Sequence, residues 1–208
     1  MTRQILSGAL PLLLFLLVSC SEAPQSTAPK EAEKPLSPAT GQSALYKMYQ
    51  VARSWAPDAE VLSMNNVALS DLPPAPPGAA SAWEATFVSA ARGQARSYTY
   101  SIVEQQPSLH KGVFAGPEQA WSGPHGNTKP FRIIAVKVDT DAAYRTALAN
   151  GGAEYDKKYP GKPISILIEK VDKFPDPVWR VIWGESVSKS NFSVYIDAST
   201  GSFMEKLH

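Results

Sequence analysis

Few side chains in this 208-residue chain stand in patterns that do chemistry. Gly184-Glu185-Ser186-Val187-Ser188 comes close to the G-x-S-x-G elbow, in which a strained strand-to-helix turn exposes a nucleophilic hydroxyl. The final glycine is missing and the following residues pattern as a strand where the elbow needs a helix, so Ser186 reads as a chance match. His110 and His125 lie in a glycine- and proline-rich stretch without an acid at a telling spacing, and His208 is the last residue. Solvated loop histidines are the ordinary reading of all three. Asp139 and Asp141 could pair as acid and base, yet both sit where a helix should open, and carboxylates there accept bonds from unpaired backbone N–H groups. Asn191-Phe192-Ser193 matches a glycosylation acceptor in form only. The expectation is therefore no catalytic residue, no metal ligand and no cofactor, with any ligand-binding residues unassigned. One residue stands apart: Cys20, the single cysteine.

Cys20 follows a charged start at Arg3 and an apolar run, Ala9 to Val18, interrupted only by Pro11. The run is too short to cross a bilayer, which takes about 20 apolar residues, and reads as a targeting segment. Its end, Leu17-Val18-Ser19-Cys20, resembles the lipobox of bacterial lipoproteins. That resemblance implies cleavage before Cys20, with 1–19 as the signal peptide, and acylation of the thiol and the new amine. Each buried methylene contributes about 0.8 kcal/mol, so two or three acyl chains hold a protein on a membrane where one would not. Ser21 after the cysteine resembles the Gram-negative sorting signal for the outer membrane, facing the periplasm. The implied location is the bacterial cell envelope, with the membrane as partner through the lipid, palmitate among the acyl chains. No thiol would then remain for disulfides, cysteine metal sites or nucleophilic catalysis.

Behind the cysteine, 20–42 reads as a tether. Residues 21–42 hold four prolines, no aromatic residue and a single large aliphatic, Leu36, which cannot assemble a core. As a coil it reaches on the order of 25 Å. The rest, about 165 residues, is enough for one domain or two small ones. The chain is 44% hydrophobic, with five tryptophans and eight tyrosines, so it can bury a core. Loss of Arg3 with the signal leaves 19 basic residues against 19 acidic. That balance argues against nucleic acid and against charge-driven binding to lipid headgroups.

The elements that position these residues repeat. A helix is predicted over 43–55, with Leu45, Met48, Ala52 and Trp55 on one stripe behind a Ser43 cap, ended by Pro57. A strand over 59–69 precedes a proline breaker at 71–80; strands follow at 82–90 and 96–103, with a turn at Arg92-Gly93. Residues 104–130 read as irregular from their glycines and prolines. In the second half 131–139 alternates as a strand at Ile134, Val136 and Val138. A helix opened by Asp139, Thr140 or Asp141 comes next, presenting Tyr144, Ala147, Leu148 and Tyr155. Gly151-Gly152 weakens its middle by roughly 1 kcal/mol per glycine, and Tyr159-Pro160-Gly161 stops it. Strands at 163–171, 178–184 and 192–198 complete the order. Trp83 aligns with Trp179, and Pro57 with Pro160, when the halves are laid together.

The fold class expected is α+β: two tandem helix-plus-antiparallel-sheet units, 43–115 and 131–208, joined by a loop at 116–130, because each sheet needs a helix over its apolar face. Trp179 and Trp183 share a strand face with Val181 and read as core. Trp121, in "GPEQAWSGPHG", either plugs the seam between units or anchors a partner.

The second half, from "ALANGGAEYDKKYPGKPISILIEK" through "PVWRVIWG" to "SVYIDASTG", resembles a PepSY-type domain: helix, proline-marked turn, two strands and a closing strand. In the closing motif, Asp197-Ala198-Ser199-Thr200-Gly201, the aspartate can bond the following N–H groups and the glycine permits a positive φ. The resemblance covers about 139–208; the first half departs from it, with Val103-Glu104-Gln105-Gln106 in place of the motif. It implies a non-enzymatic extracytoplasmic module that binds a protein or peptide partner, a restrained peptidase being one candidate. A small-ligand carrier or sensor, and a structural outer-membrane assembly factor, are the alternative expectations.

Overall fold

Alternation of apolar and polar residues makes strands of most segments so marked, and they join one sheet. The computed structural model describes residues 36–68, 75–105, 107 and 109–208. The signal segment, Cys20, the tether up to residue 35 and residues 69–74 of the first strand's end and the breaker lie outside the described residues. The described residues belong to a single compact unit.

In chain order the elements are β1 (Ala39–Thr40), α1 (Gly41–Trp55), β2 (Glu60–Asn66), β3 (Ala79–Ala80), β4 (Ala82–Ser89), β5 (Gln94–Ser101), β6 (Gly112–Ala120) and β7 (Thr128–Lys129). There follow α2 (Thr140–Ala147), a π turn at Leu148–Gly152, α3 (Ala153–Lys158), β8 (Ile164–Val171), β9 (Val178–Gly184), β10 (Ser190–Asp197) and β11 (Phe203–Leu207). The main sheet runs β11-β10-β9-β8-β2-β4-β5-β6, with β7 paired to β8. Each half thus supplies helix then four antiparallel strands. They meet where β2 pairs antiparallel with β8, Met64 opposite Ile168, and Asn66 Oδ1 accepts the Ile166 N–H at 2.7 Å across that join.

The result corrects the expectation of a separate sheet for each unit. A four-stranded sheet ending at β2 or β8 would leave a row of unpaired backbone groups, and pairing the two removes both edges. One core follows: Leu45, Met48 and Ala52 of α1 and Ala143 and Ala147 of α2 pack with Trp83, Phe87, Tyr98, Trp179, Val181, Trp183, Val194 and Ile196.

The two helix starts meet at its centre. Trp83 Nε1 donates to the Ala39 carbonyl, and Trp179 Nε1 donates to the Val138 carbonyl, both at 2.8 Å. Each acceptor lies two residues before the first residue of its helix. A Cβ on Gly41 would stand 3.0 and 3.2 Å from the tips of the Trp179 and Trp83 rings. Ser43 is not the cap of α1, which begins two residues earlier. Asp139 and Thr140 of the other half take that role: Gln42 N–H donates to Asp139 Oδ1 at 2.9 Å and Gly41 N–H to Thr140 Oγ1 at 2.7 Å.

Three further differences have physical reasons. Within 104–130, Gly112–Ala120 is a strand: it is the sheet's edge, where Pro117 needs no inward N–H bond and a register shift absorbs the irregularity. Residues 131–139 form a 3₁₀ turn at Ile133–Ala135 instead of a strand. Phe131 and Val136 are buried while Ile134 is 65% exposed, and the Lys137 and Val138 N–H groups bond the Ala198 carbonyl at 2.9 Å, away from any ladder. The short strand β11 lies beyond 192–198, where the sequence offers only five residues of pattern.

The glycine pair divides its labour. Gly151 adopts φ +112° at the bend between α2 and α3. A Cβ on Gly152 would come within 2.3 Å of the Trp183 ring, so helix and tryptophan can touch only over a glycine. The closing turn forms as the sequence requires: Asp197 Oδ1 accepts from Ser199 N–H at 2.7 Å and Thr200 N–H at 2.9 Å, and Gly201 has φ +78°.

Candidate functional site

Where α3 passes over the end of the sheet, a cleft of about 500 Å³ opens beside β10 and β11. Its floor is aromatic, because Phe192 of β10 points towards the helix and Tyr155 stacks on it at 4.6 Å and 11°. Tyr159 continues the surface 4.8 Å from Tyr155, and His208 lies 5.2 Å from Phe192. Around this floor stand Lys158 at the end of α3, Lys162 in the turn after it and Lys206 on β11. Cations suit a helix C-terminus, where the carbonyls carry partial negative charge. Lys158 also lies over the Tyr159 ring at 5.2 Å. None of the three ammonium groups forms an ion pair with another described residue. Glu154 is the only acidic side chain among the described residues of the lining. Gly151 borders the cleft at the bend, where a Cβ would sit 3.4 Å from both Lys206 Nζ and the Phe192 ring. Chemically, the lining offers cationic donors above an aromatic surface, a setting for a carboxylate or phosphate attached to apolar groups.

Of the residues weighed in the sequence for chemistry, His208 and the Asn191-Phe192 of the acceptor match line this cleft, as do Gly151, Tyr155 and Tyr159 of the helical stretch, and the others lie elsewhere. Ser186 bonds the Ser188 hydroxyl at 3.2 Å. Both border a second groove of about 380 Å³ beside β8 and β9, with Asn65, Leu167 and Ile182. His110, read as lacking an acid, has one: Nδ1 lies 2.8 Å from Glu104 Oε1, and the other oxygen accepts Lys111 N–H at 2.8 Å. Those contacts, the backbone bond first, hold the Glu104 carboxyl below its ordinary value. The two residues clasp the β5–β6 connection, a pairing that spacing alone does not suggest. His125 bonds the Ser122 hydroxyl at 3.1 Å. Asp139 caps α2 through Thr140 N–H at 2.7 Å, and Asp141 pairs with Arg145 at 2.9 Å. Trp179 and Trp183 are buried core residues. Trp121 is half-buried beside the β4–β5 turn, its backbone N–H on the Gly93 carbonyl at 2.9 Å, and so is remote from the β2–β8 join.

On the sheet face opposite the helices, burial pushes the Glu169 carboxyl above 4.5, and the charge of Arg180 only partly opposes the shift. The folded protein therefore holds this proton more tightly than the unfolded chain does. Its contribution to stability is full below pH 4.5 and declines as pH rises through the raised value. Glu169→Gln is expected to stabilise the protein at pH 7 and to leave it unchanged at pH 3, as read by urea unfolding at both pH values.

No family model matches this chain, and no curated protein matches it. Among solved structures, the crystal structure of a "putative lipoprotein (CD1622)" from Clostridium difficile 630 is similar over 82% of this chain and 94% of that one, with 8% identity and a TM-score of 0.47.

Proposed function

We propose that this chain is a lipid-anchored protein of the bacterial cell envelope, held in the outer membrane on its periplasmic side, that binds a protein or peptide partner without catalysing a reaction. The cleft between α3 and β11 carries this reading. Three lysines without acidic partners among the described residues surround stacked aromatic rings there, and tyrosine, which supplies two of those rings, is among the residues in which interface hot spots are enriched. The lipobox-like Leu17-Val18-Ser19-Cys20 supports the anchor, and Ser21 supports the outer membrane.

The two halves are read as PepSY-like units joined edge to edge. Their common order of helix and four antiparallel strands supports this, as does the equivalence of Trp83 and Trp179. Each lies on the second long strand of its half and bonds the carbonyl two residues before its own helix.

Cells fed labelled palmitate test the anchor. The wild-type chain is expected to take up label and to fractionate with outer membranes; Cys20→Ser is expected to lose the label completely and to leave the membrane fraction. A labelled Cys20→Ser chain would refute the assignment. For partner binding, a photo-crosslinking residue at position 162 should yield a discrete larger adduct in envelopes, whereas one at the exposed Glu84 of the opposite face should not.

A further inference from the structure

The cleft borders a sheet edge. Strand β11 pairs with β10 on one side, Val194 opposite Lys206, and no strand of the described residues pairs with its other side. Lys206 thus belongs both to an edge strand with one unpaired side and to the cationic lining, with His208 one residue beyond the strand. An extended chain laid along β11 would satisfy those backbone groups and turn alternate side chains towards the helix side of the sheet. There they would meet Lys206 on the strand, Lys158 and Lys162 across the cleft, and the Tyr155 and Phe192 rings beneath.

From this we infer that the cleft binds an extended acidic peptide segment, which adds to the sheet at β11 and sets carboxylates against Lys158, Lys162 and Lys206. The inference rests on the reading of the protein as a peptide binder and names the partner's chemistry. The charge of the lining side chains selects acids: three lysines face a single acidic side chain, Glu154. The edge selects a polypeptide over a bare anion, because main-chain pairing rewards a chain with regularly spaced N–H and C=O groups. The rest of the sheet's rim is less suited. At the far edge, β6 contains Pro117, which has no N–H to donate, and its Glu118 is already engaged by Trp55 Nε1 at 3.0 Å.

Fluorescence anisotropy with the full chain in detergent tests this. The probe is a labelled ten-residue peptide alternating glutamate with valine; the controls are the lysine–valine counterpart and the glutamate peptide N-methylated at every second residue. The glutamate peptide is expected to bind at least tenfold more tightly than either control. The double variant Lys162→Glu/Lys206→Glu, with its melting temperature checked against wild type, is expected to lose at least tenfold. Equal binding of the N-methylated peptide would overturn strand addition. Full displacement by millimolar inorganic phosphate would mark a general anion site and overturn the peptide assignment. If none of these peptides binds while position 162 still crosslinks a protein in envelopes, this inference fails and the proposed function stands. If both fail, the proposed function fails with it.

Discussion

Trp179→Ala is expected to destabilise the protein by about 3–5 kcal/mol, the range for truncating a large aromatic residue in a packed core. Trp179 is fully buried, between the sheet and the starts of both helices. Truncation opens a cavity there and removes the only side-chain donor among the described residues that reaches the Val138 carbonyl, at 2.8 Å. With a urea slope of about 1–3 kcal/mol/M, the unfolding midpoint should fall by roughly 1–5 M. Trp179→Phe separates the two contributions. It keeps most of the apolar contact and orphans the carbonyl, so a loss of about 1–3 kcal/mol is expected. Trp83→Ala should be comparably costly, since Trp83 is equally buried and bonds the Ala39 carbonyl. Both rings crowd Gly41, so the double variant should depart from additivity by about 0.5–3 kcal/mol. Additive losses would mean that the halves are packed independently, against a shared core.

The residues that were legible are those whose environment is local or one-sided. Ile164–Val171 alternates, burying Ile166 and Ile168 on one face, while Val178–Gly184 reads as a strand because it is apolar and buried on both faces apart from Arg180. Asp197 and Gly201 act within five residues of each other, so their turn can be read directly. Trp179 and Trp183 declare their burial by sharing a face with Val181. What was hidden depends on partners far along the chain. Strand β6 has one neighbour and little to bury, so glycine, proline and glutamate are tolerated in it and erase the strand pattern. The pairing of β2 with β8 depends on which edges meet, and nothing in either strand's own alternation encodes it. Phe131 is held by an isolated bridge to Val61, a contact that imitates strand alternation without a ladder. The cleft was hidden for the same reason: Lys158, Lys162 and Lys206 converge only because β11 returns beside β10 and under α3.

Asp139→Ala is expected to cost about 2–4 kcal/mol, twice the usual loss of a cap, because one carboxylate serves two helices. Its Oδ1 accepts the Thr140 N–H of α2 at 2.7 Å and the Gln42 N–H of α1 at 2.9 Å, while Oδ2 accepts the Thr40 hydroxyl at 2.6 Å. The negative charge also faces the positive ends of both helix dipoles. Asp139→Asn keeps one accepting oxygen and loses the charge and the Thr40 bond, so about half the effect should remain. Asp141→Ala provides the contrast. Its bond to Arg145 is an exposed pair one helical turn apart, and its removal should cost no more than about 0.5 kcal/mol. Amide exchange identifies which helix feels the loss: in Asp139→Ala the Gln42 and Thr140 amides should both exchange faster, though they lie in different halves of the chain. A loss of about 1 kcal/mol or less, with Gln42 exchange unchanged, would show that the aspartate caps α2 alone. Faster exchange at both amides would instead establish that the order of α1 depends on a residue of the other half.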